Sequence, residues 1–197
     1  MIGLRNPGFI GALIKKPVWS NNVVTNIGSN GASSPGIINI FYRRSIVMFS
    51  YTSSELRGAL NNRTSGQIMG LRFYVVSQPT YQPLPNYAIG MKNGSFSGNP
   101  GNTGYTIVKP AASESFSTGT TKTFLFTNPF VWTGGDLAFA FAWGQCPTNY
   151  HSSGQTYITN GTLYYTWTDS SGTYVINTDS AGSTSSNARP VLQLLYV

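Results

Sequence analysis

Only one cysteine, one histidine and five carboxylates occur in the 197 residues, which leaves little from which to build a catalytic or metal centre. Cys146 has no partner within the chain, so an intrachain disulfide and a thiolate-built structural metal site are both excluded. Packing and strand ladders must hold the fold instead. Charged residues make up 9% of the chain, against roughly a quarter in average globular proteins. Hydroxyls and amides therefore solvate the surface. Long apolar runs are missing too: the longest near the N-terminus covers residues 9–14, and Lys15 and Lys16 follow it rather than precede it. That predicts no membrane span and no passage through the common secretory route.

Twelve Lys and Arg against five Asp and Glu give a net charge of +7, which favours anionic partners such as a phosphate-rich polysaccharide or an acidic neighbouring subunit. The cations are scattered, with Lys15-Lys16 and Arg43-Arg44 as the doublets. A nucleic-acid groove needs a denser stripe, so no nucleic-acid partner is expected.

What the chain does contain is period-2 hydrophobicity. Phe124 and Phe126, then Leu137, Phe139, Phe141 and Trp143, recur at every second position, and a pleated strand puts such residues on one face. Pro129 and Gly134-Gly135 break the run, which predicts a hairpin over residues 121–143. Between the large side chains of the second strand stand Ala138, Ala140 and Ala142, so its other face should meet a close neighbour, either a second sheet or another subunit. Further strands are expected at 37–42, 45–51, 67–76, 87–92, 105–109, 156–159, 162–168, 173–178 and 190–197, with Asn160-Gly161 and Ser171-Gly172 as two-residue turns. Thr52-Ser53-Ser54-Glu55 is a capping-box pattern opening a short helical turn with Leu56, Ala59 and Leu60 on one face. Residues 78–85 and 93–104, rich in proline and glycine respectively, are expected as surface loops available for contact.

The predicted fold class is all-β: a single antiparallel sandwich, jelly-roll-like, occupying residues 37–197, with an extended arm over residues 1–36. Pro7, Pro17 and Pro35 and several glycines punctuate that arm, and its apolar residues are too few for a core. Phe9, Ile10, Leu13, Ile14 and Trp19 are therefore expected to dock on a partner.

Several ordered segments carry a resemblance. Tyr51-Thr52-Ser53-Ser54-Glu55-Leu56, then Gly66-Gln67-Ile68-Met69-Gly70-Leu71-Arg72-Phe73, then residues 123–132 from Thr123 to Trp132, resemble a β-sandwich module of secreted Bacteroidetes surface proteins. Gly135-Asp136-Leu137, Gly161-Thr162-Leu163-Tyr164-Tyr165 and Ala188-Arg189-Pro190-Val191-Leu192 extend the similarity, which covers roughly residues 41–197. The resemblance implies a jelly-roll-like sandwich in extracellular adhesion or display, and it brings no catalytic residues. Unlike those proteins, this sequence shows no secretion signal, stalk or sorting tail. By analogy, a lone module with a docking arm suits a bacteriophage virion, as a fibre, tail or capsid-decoration subunit made in the host cytoplasm and exposed after release.

Chemistry points the same way. His151 has no Gly-x-Ser-x-Gly elbow to serve, and Glu55, Glu114, Asp136, Asp169 and Asp179 show no paired or metal-loop spacing. No catalytic residue, metal or cofactor is expected. Tyrosine and tryptophan can stack on sugar rings while losing little rotamer freedom, which makes Tyr81, Tyr87, Tyr150, Trp167 and Tyr174 candidates for glycan contact. The expected function is a non-enzymatic attachment or structural subunit, a homo-oligomer held to other virion proteins by its arm and able to meet a host-surface polysaccharide. A free carbohydrate-binding module and a polysaccharide-acting hydrolase are the alternatives.

Overall fold

The computed structural model describes residues 26–29, 31–96, 102–148, 150–185 and 188–197. They form an all-β antiparallel sandwich of two six-stranded sheets. The first sheet holds β1 (Ala32–Ser34), β3 (Gly66–Ser77), β6 (Thr120–Trp132), β8 (Gln155–Thr159), β11 (Arg189–Pro190) and β12 (Gln193–Tyr196). The second holds β2 (Arg44–Tyr51), β4 (Leu84–Asn93), β5 (Thr106–Glu114), β7 (Leu137–Trp143), β9 (Leu163–Thr168) and β10 (Ser183–Ser185), in the order β10-β9-β2-β7-β4-β5. From β2 to β9 the chain changes sheet at nearly every connection, as jelly-roll-like sandwiches do.

Large apolar side chains of both inner faces fill the space between the sheets. Phe49, Phe139, Phe141 and Trp143 of the second sheet face Leu71, Phe73, Phe124 and Leu194 of the first. Tyr87 joins the layers, stacked at 5.7 Å from Phe124 and 5.8 Å from Trp143. The alanine face of β7 is buried as well. Ala138, Ala140 and Ala142 lie with Ile46 and Met48 beneath Tyr105, Tyr174, Ile176 and Ala181, so the close neighbour is a strip of the same chain. Gly90 lets that strip approach, since a side chain there would meet Ile176 and Tyr105 at about 3 Å.

The capping box forms as expected at α1 (Ser53–Ala59). Thr52 Oγ1 accepts from Glu55 N–H, and Glu55 Oε2 accepts from Thr52 N–H at 2.8 Å. Leu56, Ala59 and Leu60 enter the core.

The structure corrects four local expectations. Residues 121–143 are not a hairpin: β6 pairs with β3, β7 pairs with β2 and β4, and residues 133–136 carry the chain from one sheet to the other. Alternation reads the same whether two strands pair side by side or face one another across a core, and here they face. Asn160-Gly161 likewise joins opposite sheets. Residues 37–42 are not a strand. A 3-10 turn spans Gly36–Ile38, and Ile37, Ile38 and Ile40 are all buried rather than alternately so. Asn39 Oδ1 accepts from Phe41 N–H at 2.9 Å and closes a side-chain turn. Finally, after Thr173 bridges Gly144, residues 176–178 turn. Asn177 exchanges two 2.8 Å hydrogen bonds with the backbone of Tyr105 in place of a strand neighbour.

Within the span expected as an arm, Ile27 is buried and bridges Leu192, and Ala32–Ser34 pair with β8. Phe9, Ile10, Leu13, Ile14 and Trp19 lie outside the described residues.

Candidate functional site

Each of the five carboxylates already has a partner in the fold. Glu55 forms a forked ion pair with Arg189, and Glu114 lies 3.0 Å from Lys109 and 2.6 Å from Lys122. Partial burial pushes both carboxyls up, but their cationic and hydrogen-bonding partners outweigh it and hold them below the ordinary glutamate value. Asp136 accepts from Ser53 N–H at 2.7 Å, and Asp179 accepts from Val175 N–H at 2.7 Å. Asp169 accepts from the Tyr150 hydroxyl at 3.3 Å. Burial raises the Cys146 thiol to about 11, so it rests as the neutral form. Among the described residues no three His, Cys, Asp or Glu side chains come together.

The feature that stands apart is an open groove of about 440 Å³ where the 3-10 segment, the 147–154 loop and the end of β9 meet. Pro35, Asn39, Phe41, Tyr42, His151, Ser152, Ser153, Gln155 and Trp167 line it. The Asn39 side-chain turn throws Phe41 outward, leaving it 46% exposed. Its ring meets Tyr150 edge-on at 5.1 Å and Tyr42 at 5.2 Å. Behind them runs a stack, with Tyr42 5.7 Å from Trp167 and Trp167 4.0 Å from Tyr165. Across the rim, His151 stacks on Tyr81 at 5.2 Å, and its Nε2 lies 2.7 Å from Thr148 Oγ1.

Tyr150, which packs against Phe41 at the edge of the groove, is the most unusual residue. It is 63% exposed and sits at φ +64°, a left-handed conformation that bulky side chains rarely adopt. Its N–H donates to Phe41 O at 2.6 Å, which pins the strained residue beside the other exposed ring. Strain kept for a side chain that packs on little of its own fold is a mark of a functional position. The Asp169 charge raises the Tyr150 phenol above its ordinary value. Close by in sequence, Trp167 Nε1 and Asp169 Oδ1 have no hydrogen-bond partner among the described residues.

Of the five aromatics named from sequence, the groove gathers Trp167 in its wall, Tyr150 against Phe41 and Tyr81 behind His151. The other two fall elsewhere. Tyr87 is wholly buried between the sheets with its hydroxyl on Ile37 O at 3.1 Å, so it presents nothing to a ligand. Its regular alternation with Ile89 and Met91 was the signal for the core. Tyr174 is part of the strip covering the second sheet, with the Arg44 guanidinium 4.6 Å from its ring centroid. Phe41 and Tyr42 were missed because residues 37–42 read as one strand. Two large aromatics in succession cannot both point inward from a strand, and that was the available clue.

No protein-family model, curated protein or solved structure matches the chain.

Proposed function

We propose that this chain is a non-enzymatic attachment subunit whose groove holds a surface glycan. The observation that carries this reading is the pair of exposed rings, Phe41 and Tyr150, set edge to face beside a groove lined with hydroxyls, amides and an imidazole. Rings give apolar faces for the C–H surface of a sugar, and the polar rim offers donors and acceptors for its hydroxyls. Burying roughly 100 Å² of ring contributes roughly 2.5 kcal/mol, more than the about 1 kcal/mol net of one neutral hydrogen bond. The rings should dominate affinity.

The setting we propose is a bacteriophage virion, in a fibre, tail or capsid decoration. The resemblance to surface-display sandwiches and the apolar cluster of Phe9, Ile10, Leu13, Ile14 and Trp19, which would dock on a neighbouring virion protein, support it. A broad glycan screen tests the groove. The intact chain should retain a subset of glycans, and Phe41→Ala and Tyr150→Ala should each weaken binding at least about tenfold, or ~1.4 kcal/mol, with melting temperatures unchanged. Retention unaffected by both substitutions would remove the groove from the function.

A further inference from the structure

We infer that the groove selects uncharged glycans over acidic ones, an inference that rests on the groove being the glycan site. The chain as a whole carries +7, and that alone would point to a polyanion. The groove is different. Among the described residues its lining holds no lysine, arginine, aspartate or glutamate.

The two nearest cations in sequence, Arg43 and Arg44, directly follow Tyr42, are absent from the lining, and each hydrogen-bonds elsewhere in the fold. Arg43 Nε donates to Cys146 O at 3.0 Å. Arg44 Nη2 donates to Ser170 Oγ at 3.0 Å, and its guanidinium lies over Tyr174. A site built for uronate, sulfate or phosphate groups would present a guanidinium or ammonium to them. The ionised group that does touch the exposed aromatic pair is Asp169, through the Tyr150 hydroxyl, and its charge has the wrong sign for an acidic sugar.

What the rim offers instead is His151, Ser152, Gln155 and the Asn39 amide nitrogen, while Asn39 Oδ1 and Ser153 Oγ are engaged with each other and with the N–H of Phe41. Amides and hydroxyls each donate and accept, and the imidazole adds its ring nitrogens, which matches hydroxyl groups that also do both. The rings supply a contact that ignores charge. Selection then comes from what the groove leaves out: an acidic ligand would surrender part of its hydration and gain no counter-charge.

Calorimetric titration of the intact chain decides the matter, using neutral gluco- and manno-oligosaccharides and a galacturonate oligomer of the same length, at about 50 and about 500 mM NaCl. The expected result is binding of a neutral oligosaccharide at least about tenfold tighter than the galacturonate, with less than about a twofold change between the two salts. Phe41→Ala and Tyr150→Ala should abolish it. Tighter galacturonate binding that falls with salt and is lost in Tyr150→Ala would overturn the selectivity while leaving the groove as the glycan site. Neutral binding that survives both substitutions, or no binding of any of the three oligomers, would overturn the selectivity and the site together.

Discussion

Arg189 ties four chain segments together with one guanidinium. Nη1 donates to Ser50 O at 2.7 Å, Nη2 donates to Asn160 O at 2.6 Å, and the fork grips both oxygens of Glu55. The plane also lies 4.5 Å over Tyr51. Removing it would leave a half-buried carboxylate without its counter-charge and two part-buried carbonyls without this donor. We expect Arg189→Ala to cost on the order of 2 kcal/mol, read as a lower urea midpoint, and Arg189→Lys to recover less than half of it, because an ammonium cannot form the fork. A midpoint shift within error for Arg189→Ala would contradict this.

The glutamates give the same lock a pH dependence. Both Glu55 and Glu114 are held below their ordinary value in the folded chain, so each adds stability above about pH 4.3, where the unfolded group ionises. That stability is lost as pH falls through the lower folded value. The urea midpoint should therefore drop on acidification below about pH 5, and Glu114→Gln should make the drop shallower. An equally steep drop in the variant would show that Lys109 and Lys122 do not hold this carboxyl.

At the scale of elements, the corner between β6 and β7 depends on one glycine and not on its neighbour. Gly134 sits at φ +89°, and a Cβ there would fall 1.8 Å from Thr64 O, whereas nothing lies within 4 Å of a Cβ on Gly135. Gly134→Ala should destabilise by more than about 2 kcal/mol, and Gly135→Ala should be close to neutral. Equal melting temperatures for the two variants would contradict this reading of the corner. The sequence had marked both glycines as one turn, and it could not say which of them the fold requires. The reason is the same one that hid the sheet assignment. Alternation, Pro129 and Gly-Gly are local signals, whereas the partner of β6 is β3, some fifty residues earlier in the chain. Where the partner is local, the signal suffices: Thr52 and Glu55 lie three residues apart, and their capping box forms as written.

For the chain taken entire, the same distinction separates what could be read of the groove from what could not. Trp167 and Tyr150 were recognisable as aromatics in polar, strand-end surroundings. Phe41 was hidden because its exposure comes from Asn39 closing a turn on it and from Tyr150 donating across 109 residues to its carbonyl. The alanine face of β7 was legible as the site of a close approach, but its occupant came from residues with no strand pattern of their own. Among the described residues every strand of the two sheets lies after residue 31, and Ile27 is already part of the core. Removing residues 1–25 should abolish co-purification with particles if Phe9 to Trp19 supply the anchor. A cut before Gly36 would instead strip β1 and the Ile27 bridge from the sandwich.

The most direct check is a crystal of the intact chain grown with the tightest-binding oligosaccharide from the screen. A pyranose ring laid against Phe41 or Tyr150, with its hydroxyls turned toward the serines, amides and imidazole of the rim, is the predicted result. A sugar seated on any other surface, with the groove open in the same crystal, would contradict it.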